Sequence, residues 1–338
     1  MKTFLVALAC LAAFSCASKP EPAQARKVVI NYPNKSGSQW PLFIAKEQGF
    51  YAKYGLDVDL QFGVYPAGVV MLASGEGQMV NSSLEQVLQA ASKDDSMKLV
   101  GSSLNRGTFA LIASKNIKSV EALKGKTIAV STLGDGPYGY VVAILAKAGL
   151  TERDVQWISA GSGVTSRAAA LTGGQADATI LTAPVYFKLE AEGYNVLVNL
   201  AEREDIFAST AYLMAARDLK DLTLAQSLIK AHAEAIKKFY EDKPAAVAAY
   251  LKYDLQAVPA EVERTYDLYA KPQAFERVPY VLKPAVAAAV EQLHGASPAG
   301  AIDNRAVDQL VKDGFFVQLF GEAIRAEQER KAALAFKE

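Results

Sequence analysis

Histidine, cysteine and tryptophan are nearly missing from this chain of 338 residues, which has two of each. The histidines, His232 and His294, fall in a C-terminal stretch that reads as packing helices, so imidazole acid–base catalysis has no candidate in a loop. The cysteines, Cys10 and Cys16, both lie near the N-terminus. Thiol nucleophiles, thiolate metal sites and intramolecular disulfides therefore have no foothold in the body of the chain. No His/Cys/Asp cluster has metal-ligand spacing, and carboxylates are scattered rather than paired in loops. There is no Walker A loop, no GxGxxG after the first strand and no GxSxG elbow. Charge of one sign is not in excess, with 36 basic and 36 acidic residues. That gives no long-range reason to expect nucleic acid or an anionic membrane surface as partner. Long apolar runs are scarce too. The longest unbroken apolar run, 4–14 (FLVALACLAAF), is well short of the ~20 residues that span a bilayer.

That run sits behind Met1-Lys2 and ahead of Ser15-Cys16 and a polar Ser18-Lys19-Pro20. A basic start, a short apolar core and small residues before a cysteine have the order of a bacterial lipoprotein signal, residues 1–16, with Cys16 the lipidated residue. The alternative is an ordinary signal peptide with an incidental cysteine. Residues 17–26, rich in Pro, Ala and polar side chains, read as a tether. The expected location is the cell envelope, extracytoplasmic and membrane-anchored.

What the chain does have is a rhythm. Apolar residues make up 51%, and the length allows about two domains. The organising stretch is 127–140, TIAVSTLGDGPYGY. It reads as a strand at 127–130, a glycine-rich turn at 131–136 and a helix opening at Pro137. Proline suits a first helical turn, and such a turn aims backbone N–H groups outward at the positive end of a helix. The same alternation of strand and single helix runs through about 27–104 and 125–200, implying parallel α/β sheets with ligands at the carboxyl ends of their strands. Two short connections, about 105–112 and 205–212, imply two lobes joined by a two-stranded hinge, with the cleft between them as the site. The expected lobes are 27–107 plus 211–338, and 108–210. After residue 222 only helices are expected, with breaks at Pro244, Pro259, Pro272 and Pro279.

The strand-end loops are rich in hydroxyls, amides and aromatics, which give directional hydrogen bonds and flat apolar walls. Candidate ligand residues are Ser38, Trp40, Tyr65, Asn81, Ser82, Ser83, Thr108, Ser131, Thr132, Gly134, Asp135, Tyr138, Thr182 and Tyr186. Singly, each also suits a turn or a helix cap.

The stretches PLFIAKEQGFYAKYGLDVDLQF, LASGEGQM, SVEALKGKTIAVSTLGDGPYGYVVAILAKAGL and AAALTGGQADATILTAPV occur in this order over most of residues 28–215. Together they resemble the periplasmic solute-binding proteins of ABC importers, in the group that binds aliphatic sulfonates, nitrate or taurine, and thiamine-precursor pyrimidines. The resemblance implies an α/β, type II periplasmic-binding-protein fold with extra C-terminal helices. It also implies a non-enzymatic monomer without cofactor that captures a small molecule in a closing cleft and passes it to a membrane permease. The family's ligand loops fall on the candidates above. Lys35 and Arg106 are the basic residues seen near these loops, and Asp135 would repel an anion. The aromatics Trp40, Tyr65, Tyr138, Tyr140 and Tyr186 incline the expectation to a pyrimidine- or flavin-like heterocycle, with a sulfonate- or nitrate-type anion as alternative. A pyrimidine-synthesis-type enzyme on the same fold is the competing class, and a ligand sensor is a third reading.

Overall fold

The structure, a computed structural model, describes residues 25–161, 163–203, 206–292 and 300–336. The signal segment, Cys16, most of the tether, Ser162 and His294 lie outside them.

The first sheet is built from β1 (Arg26–Tyr32), β2 (Leu56–Phe62), β3 (Met79–Ser82) and β4 (Met97–Arg106). Between these run α1 (Trp40–Glu47), α2 (Phe50–Lys53), α3 (Tyr65–Ser74) and α4 (Leu84–Lys93). The second sheet uses β5 (Phe109–Ala113), β6 (Thr127–Val130), β7 (Gln156–Ser159), β8 (Ala178–Thr182) and β9 (Asn195–Asn199), with α5 (Gly136–Lys147), α6 (Val164–Thr172) and α7 (Val185–Ala191) between strands. The chain returns through β10 (Ile206–Ala215) to the first sheet. It ends in α8 (Thr223–Glu241), α9 (Lys243–Tyr253), α10 (Pro259–Ala270), α11 (Lys283–Gln292), α12 (Arg305–Lys312), α13 (Phe315–Phe320) and α14 (Ile324–Phe336).

The strand orders are β2-β1-β3-β10-β4 and β7-β6-β8-β5-β9. β1 runs parallel to β2 and β3, and β6 parallel to β7 and β8, as single-helix connections require. The expectation of wholly parallel sheets needs correction. β10 is antiparallel to β3 and β4, and β5 is antiparallel to β8 and β9. These are the strands that the chain enters on crossing between lobes, so no crossover helix fixes their direction. β4 and β5 are separated by residues 107–108 alone, and β10 pairs with β4 as far out as Ile206 and Arg106. The hinge thus grows directly out of paired strands.

The core follows the residue pattern. β8 (ATILT) is buried at every position, and Ile128, Ala129 and Val130 of β6 beside it are fully buried. Helix α8 buries Leu224, Leu228, Ile229, Ile236 and Phe239 against the first sheet's helices, the stripe expected from a period of 3.6. It also buries His232. Burial pulls that imidazole down to about 3, and Nε2 meets the Tyr51 hydroxyl at 2.8 Å, so it is a neutral core residue. Helix α13 had no counterpart in the sequence reading, because GFFVQLFG between two glycines is too short to show a period.

Candidate functional site

A cavity of about 100 Å³ lies between the two sheets, walled by the carboxyl ends of their strands. From the first lobe, the loop between β1 and α1 contributes Asn34, Ser36, Ser38 and Gln39, and the β3–α4 junction contributes Ser82, Ser83 and Gln86. Thr108, Phe109 and Thr210 come from the hinge strands. From the second lobe come Ser131, Asp135, Gly136 and Pro137 at the start of α5, Val164 and Arg167 on α6, and Thr182 at the end of β8.

The polar walls are pre-ordered. Ser36 Oγ donates to Asn34 Oδ1 at 2.7 Å and lies 2.7 Å from Ser38 Oγ. Asn81 Nδ2 donates to Gln39 Oε1 at 2.7 Å, and Ser82 Oγ to Gln86 Oε1 at 2.6 Å. Held amides and hydroxyls lose little further freedom on meeting a ligand.

Asp135 is the N-cap of α5. Its Oδ1 accepts from Tyr138 N at 3.0 Å, and its Oδ2 accepts from Thr132 N at 3.1 Å and from the Ser131 hydroxyl. Although GDGPYG at 134–139 has dinucleotide-loop spacing, the N–H groups expected to cradle a ligand anion are taken up by this carboxylate. Burial pushes the Asp135 carboxyl up, while the Ser131, Tyr138 and Thr132 hydrogen bonds and the charge of Arg167 pull it down.

Arg167 was not among the candidates, and it is the cation of the cavity. It is 2% exposed, and Nε donates to Ile180 O at 3.0 Å. Burial pulls its guanidinium down to about 10, against the supporting charge of Asp135, so it stays charged at neutral pH. Its one sequence signal is an arginine interrupting a helix of small residues, VTSRAAALT.

Of the fourteen candidates, Ser38, Ser82, Ser83, Thr108, Ser131, Asp135 and Thr182 line the cavity. Trp40, proposed as a ligand wall, is fully buried in the first lobe's core. Its ring meets Phe239, Tyr250, Tyr266 and Tyr269 at centroid distances of 4.8–6.1 Å, and Nε1 donates to Ala246 O at 2.6 Å. Residue 40 opens α1, so its side chain turns from the cleft that Ser38 and Gln39 face toward α8, α9 and α10. Tyr65 gives its hydroxyl to Gln86 O at 2.6 Å, tying α3 to α4, and Asn81 sits behind Gln39. Thr132 and Gly134 shape the turn; Gly134 has φ 84, and no wall of the cavity reaches it. Tyr138 points to Glu152 and Trp157 on the outer side of α5, and Tyr186 is buried against Phe187.

Arg264 of α10 holds Glu190 of α7 across the lobes at 2.6 Å, and another crossing contact sits at the rim of the cavity. Glu85, in the first turn of α4 and 3% exposed, accepts from the Tyr140 hydroxyl of α5 at 2.8 Å. Its Oε2 is buried without a partner, and a Cβ on Gly136 would stand 2.8 Å from the carboxylate, so only glycine fits there. Burial raises the Glu85 carboxyl and Asp135 raises it further, opposed by hydrogen bonds from its own backbone, Tyr140 and Ser83. A raised carboxyl binds its proton more tightly in the closed body than when opened to water. Closure is therefore favoured below the ordinary carboxylate range and weakens as pH rises through the raised value. The radius of gyration of the ligand-free protein is expected to grow with pH over that window, and to stop doing so in Glu85→Gln. A pH response that survives the substitution removes Glu85 from the clasp.

Three solved structures place this geometry. The alkanesulfonate-binding protein SsuA of Xanthomonas axonopodis, solved with MOPS, is 21% identical, with 83% of this chain and 99% of that chain covered and a TM-score of 0.67. The periplasmic nitrate-binding protein NrtA of Synechocystis is 15% identical, with 90% and 91% covered and a TM-score of 0.68. The desulfurization enzyme DSZB is 15% identical, with 85% and 99% covered and a TM-score of 0.60. At such identities the likeness establishes the fold, that of periplasmic binding proteins, and the fold carries both binding and catalysis. No curated protein sequence matches the chain. The family model described as NMT1/THI5 like matches residues 38–249, and the chain belongs to that family.

Proposed function

We propose that the chain is the extracytoplasmic receptor of an ABC importer, and that its solute is a small molecule with a singly charged oxyanion head, of the sulfonate or carboxylate kind. The observation that carries the solute class is the buried Arg167 among hydroxyls and amides in a cavity between two hinged lobes. Hydroxyl donors and a guanidinium suit an oxyanion, and burial strengthens the pairing. Asp135 and Glu85 nearby disfavour a second negative charge on the solute. The neighbour solved with MOPS and the neighbour named as nitrate-binding point the same way. The heterocycle reading loses its support, since Trp40, Tyr65, Tyr138, Tyr140 and Tyr186 do not line the cavity, and Phe109 is the one aromatic that does. At about 100 Å³ the space is also well below the ~300–1,000 Å³ of drug-sized sites. A binding role fits better than catalysis because the cavity wall has no histidine, cysteine or lysine among the described residues.

The test is a thermal-shift screen against sulfonates, small carboxylates, nitrate, pyrimidines and flavins. A solute at ~100 times its dissociation constant adds about 2.7 kcal/mol of stability. Stabilisation by singly charged sulfonates or carboxylates is expected; stabilisation by pyrimidines or flavins alone overturns the solute class. Anchoring through Cys16 belongs to the same reading, since two or more acyl chains hold a protein stably on a membrane. Cys16→Ala is expected to move the protein from the membrane to the soluble fraction with solute affinity unchanged. Persistent acyl labelling of that variant sinks the assignment.

A further inference from the structure

Behind the hinge, on the first lobe, a separate cavity of about 220 Å³ is walled by the end of β4, the segment 272–282 and α14. Its charged residues are Arg106, Arg277, Arg330 and Lys331 against Glu276 and Glu327. Two pairs are already made: Arg277 holds Glu327 through Nε at 3.0 Å and Nη2 at 2.6 Å, and Lys331, 4% exposed, holds Glu276. Among the described residues, two guanidinium groups are left over. Among the described residues Arg106 reaches the Arg203 carbonyl oxygen alone, at 3.5 Å, and Arg330 has no ion-pair partner. Asn105 lines the same cavity, is 4% exposed, and its Nδ2 is buried with no partner. Gln273 on the rim holds φ 50, a left-handed conformation that non-glycine residues adopt at a cost and that recurs at ligand sites.

A pocket with two uncompensated cations and an unmet buried amide donor lacks an acceptor that carries charge. We propose that this cavity is a second binding site, for a small oxyanion with two negative charges such as inorganic phosphate, held by Arg106, Arg330 and Asn105. It is distinct from the cleft, whose acidic rim disfavours a dianion. Its place matters because Arg106 stands at the end of hinge strand β4 and reaches the Arg203 carbonyl oxygen on the returning connection, so an anion here ties the end of β4 to α14 beside the hinge. An anion that binds one hinge angle better than another shifts the balance between them.

The experiment is calorimetric titration of the full chain with inorganic phosphate, in wild type, Arg167→Met, Arg330→Gln and the double variant Arg106→Gln/Arg330→Gln. One phosphate per chain is expected in wild type and, with the same affinity, in Arg167→Met. The loss in Arg330→Gln is expected to be about tenfold or more, the scale of a hydrogen bond to a charged group, and binding is expected to vanish in the double variant. Arg330 is solvent-exposed, so the single variant folds even where the double does not. Absence of saturable heat in wild type overturns the proposal. So does heat lost in Arg167→Met but kept in Arg330→Gln, which would put the ion in the cleft and leave the receptor reading untouched.

Discussion

Trp40→Ala is expected to lower the stability of the protein by about 3–5 kcal/mol, the range for deleting a large buried aromatic. Its melting temperature is expected to fall by roughly 10 °C, at about 2–4 °C per kcal/mol for a body of this size. The reason is the number of elements that the ring joins. It opens α1 and touches Tyr250 on α9, Phe239 on α8, and Tyr266 and Tyr269 on α10. Its deletion leaves a cavity where four helices meet and takes from the Ala246 carbonyl oxygen its side-chain donor. Trp40→Phe keeps one ring and loses the Nε1 donor and part of the indole's packed area, so a smaller loss of about 1–2 kcal/mol is expected, with solute affinity within a few-fold of wild type. Thermal melts with and without solute read both quantities. A Trp40→Ala protein that melts like wild type but no longer binds would return the ring to the ligand wall.

The same residue shows where the sequence stops being readable. Serines, threonines and asparagines collect at strand ends because turns need them, and in this fold strand ends face the cleft. Ser38, Ser82, Ser83, Thr108, Ser131 and Thr182 could therefore be found without coordinates. Trp40 lies two residues from Ser38, but α1 begins between them, and one step of about 100° along a helix separates cleft from core. No composition argument resolves that step. Asp135 was seen as a charge that would repel an anion, while its capping role depends on the local backbone that points Tyr138 N and Thr132 N at it. Glu85 on α4 and Gly136 on α5 are far apart in the chain, only the meeting of two lobes brings them together, and nothing local marks either one. The mixed sheets were hidden for a similar reason: strand direction at a crossing is set by the hinge, not by the residues of β5 or β10.

Arg167→Met is expected to weaken solute binding by about 30- to 1,000-fold, the ~2–4 kcal/mol typical of removing one member of a buried, hydrogen-bonded charge pair. A solute bound at micromolar concentration, about −8 kcal/mol, would then need close to millimolar. Methionine keeps the apolar stem of the side chain about as far as Nε. The loss is therefore mainly one of charge and donors at the cavity wall. Stability is expected to change less than in Trp40→Ala, because two effects oppose each other. The cost of holding a guanidinium at 2% exposure disappears, while Ile180 O loses a donor and Asp135 loses its nearby cation. Asp135 tolerates that loss, since three donors from its own turn still satisfy its oxygens. Arg167→Lys keeps the charge but not the planar fork, so its affinity should fall between wild type and Arg167→Met. Titration of the same solute into all three proteins reads this order directly. Equal affinity in a folded Arg167→Met would mean that the hydroxyls and amides of the first lobe hold the solute alone, and the oxyanion head would lose its anchor.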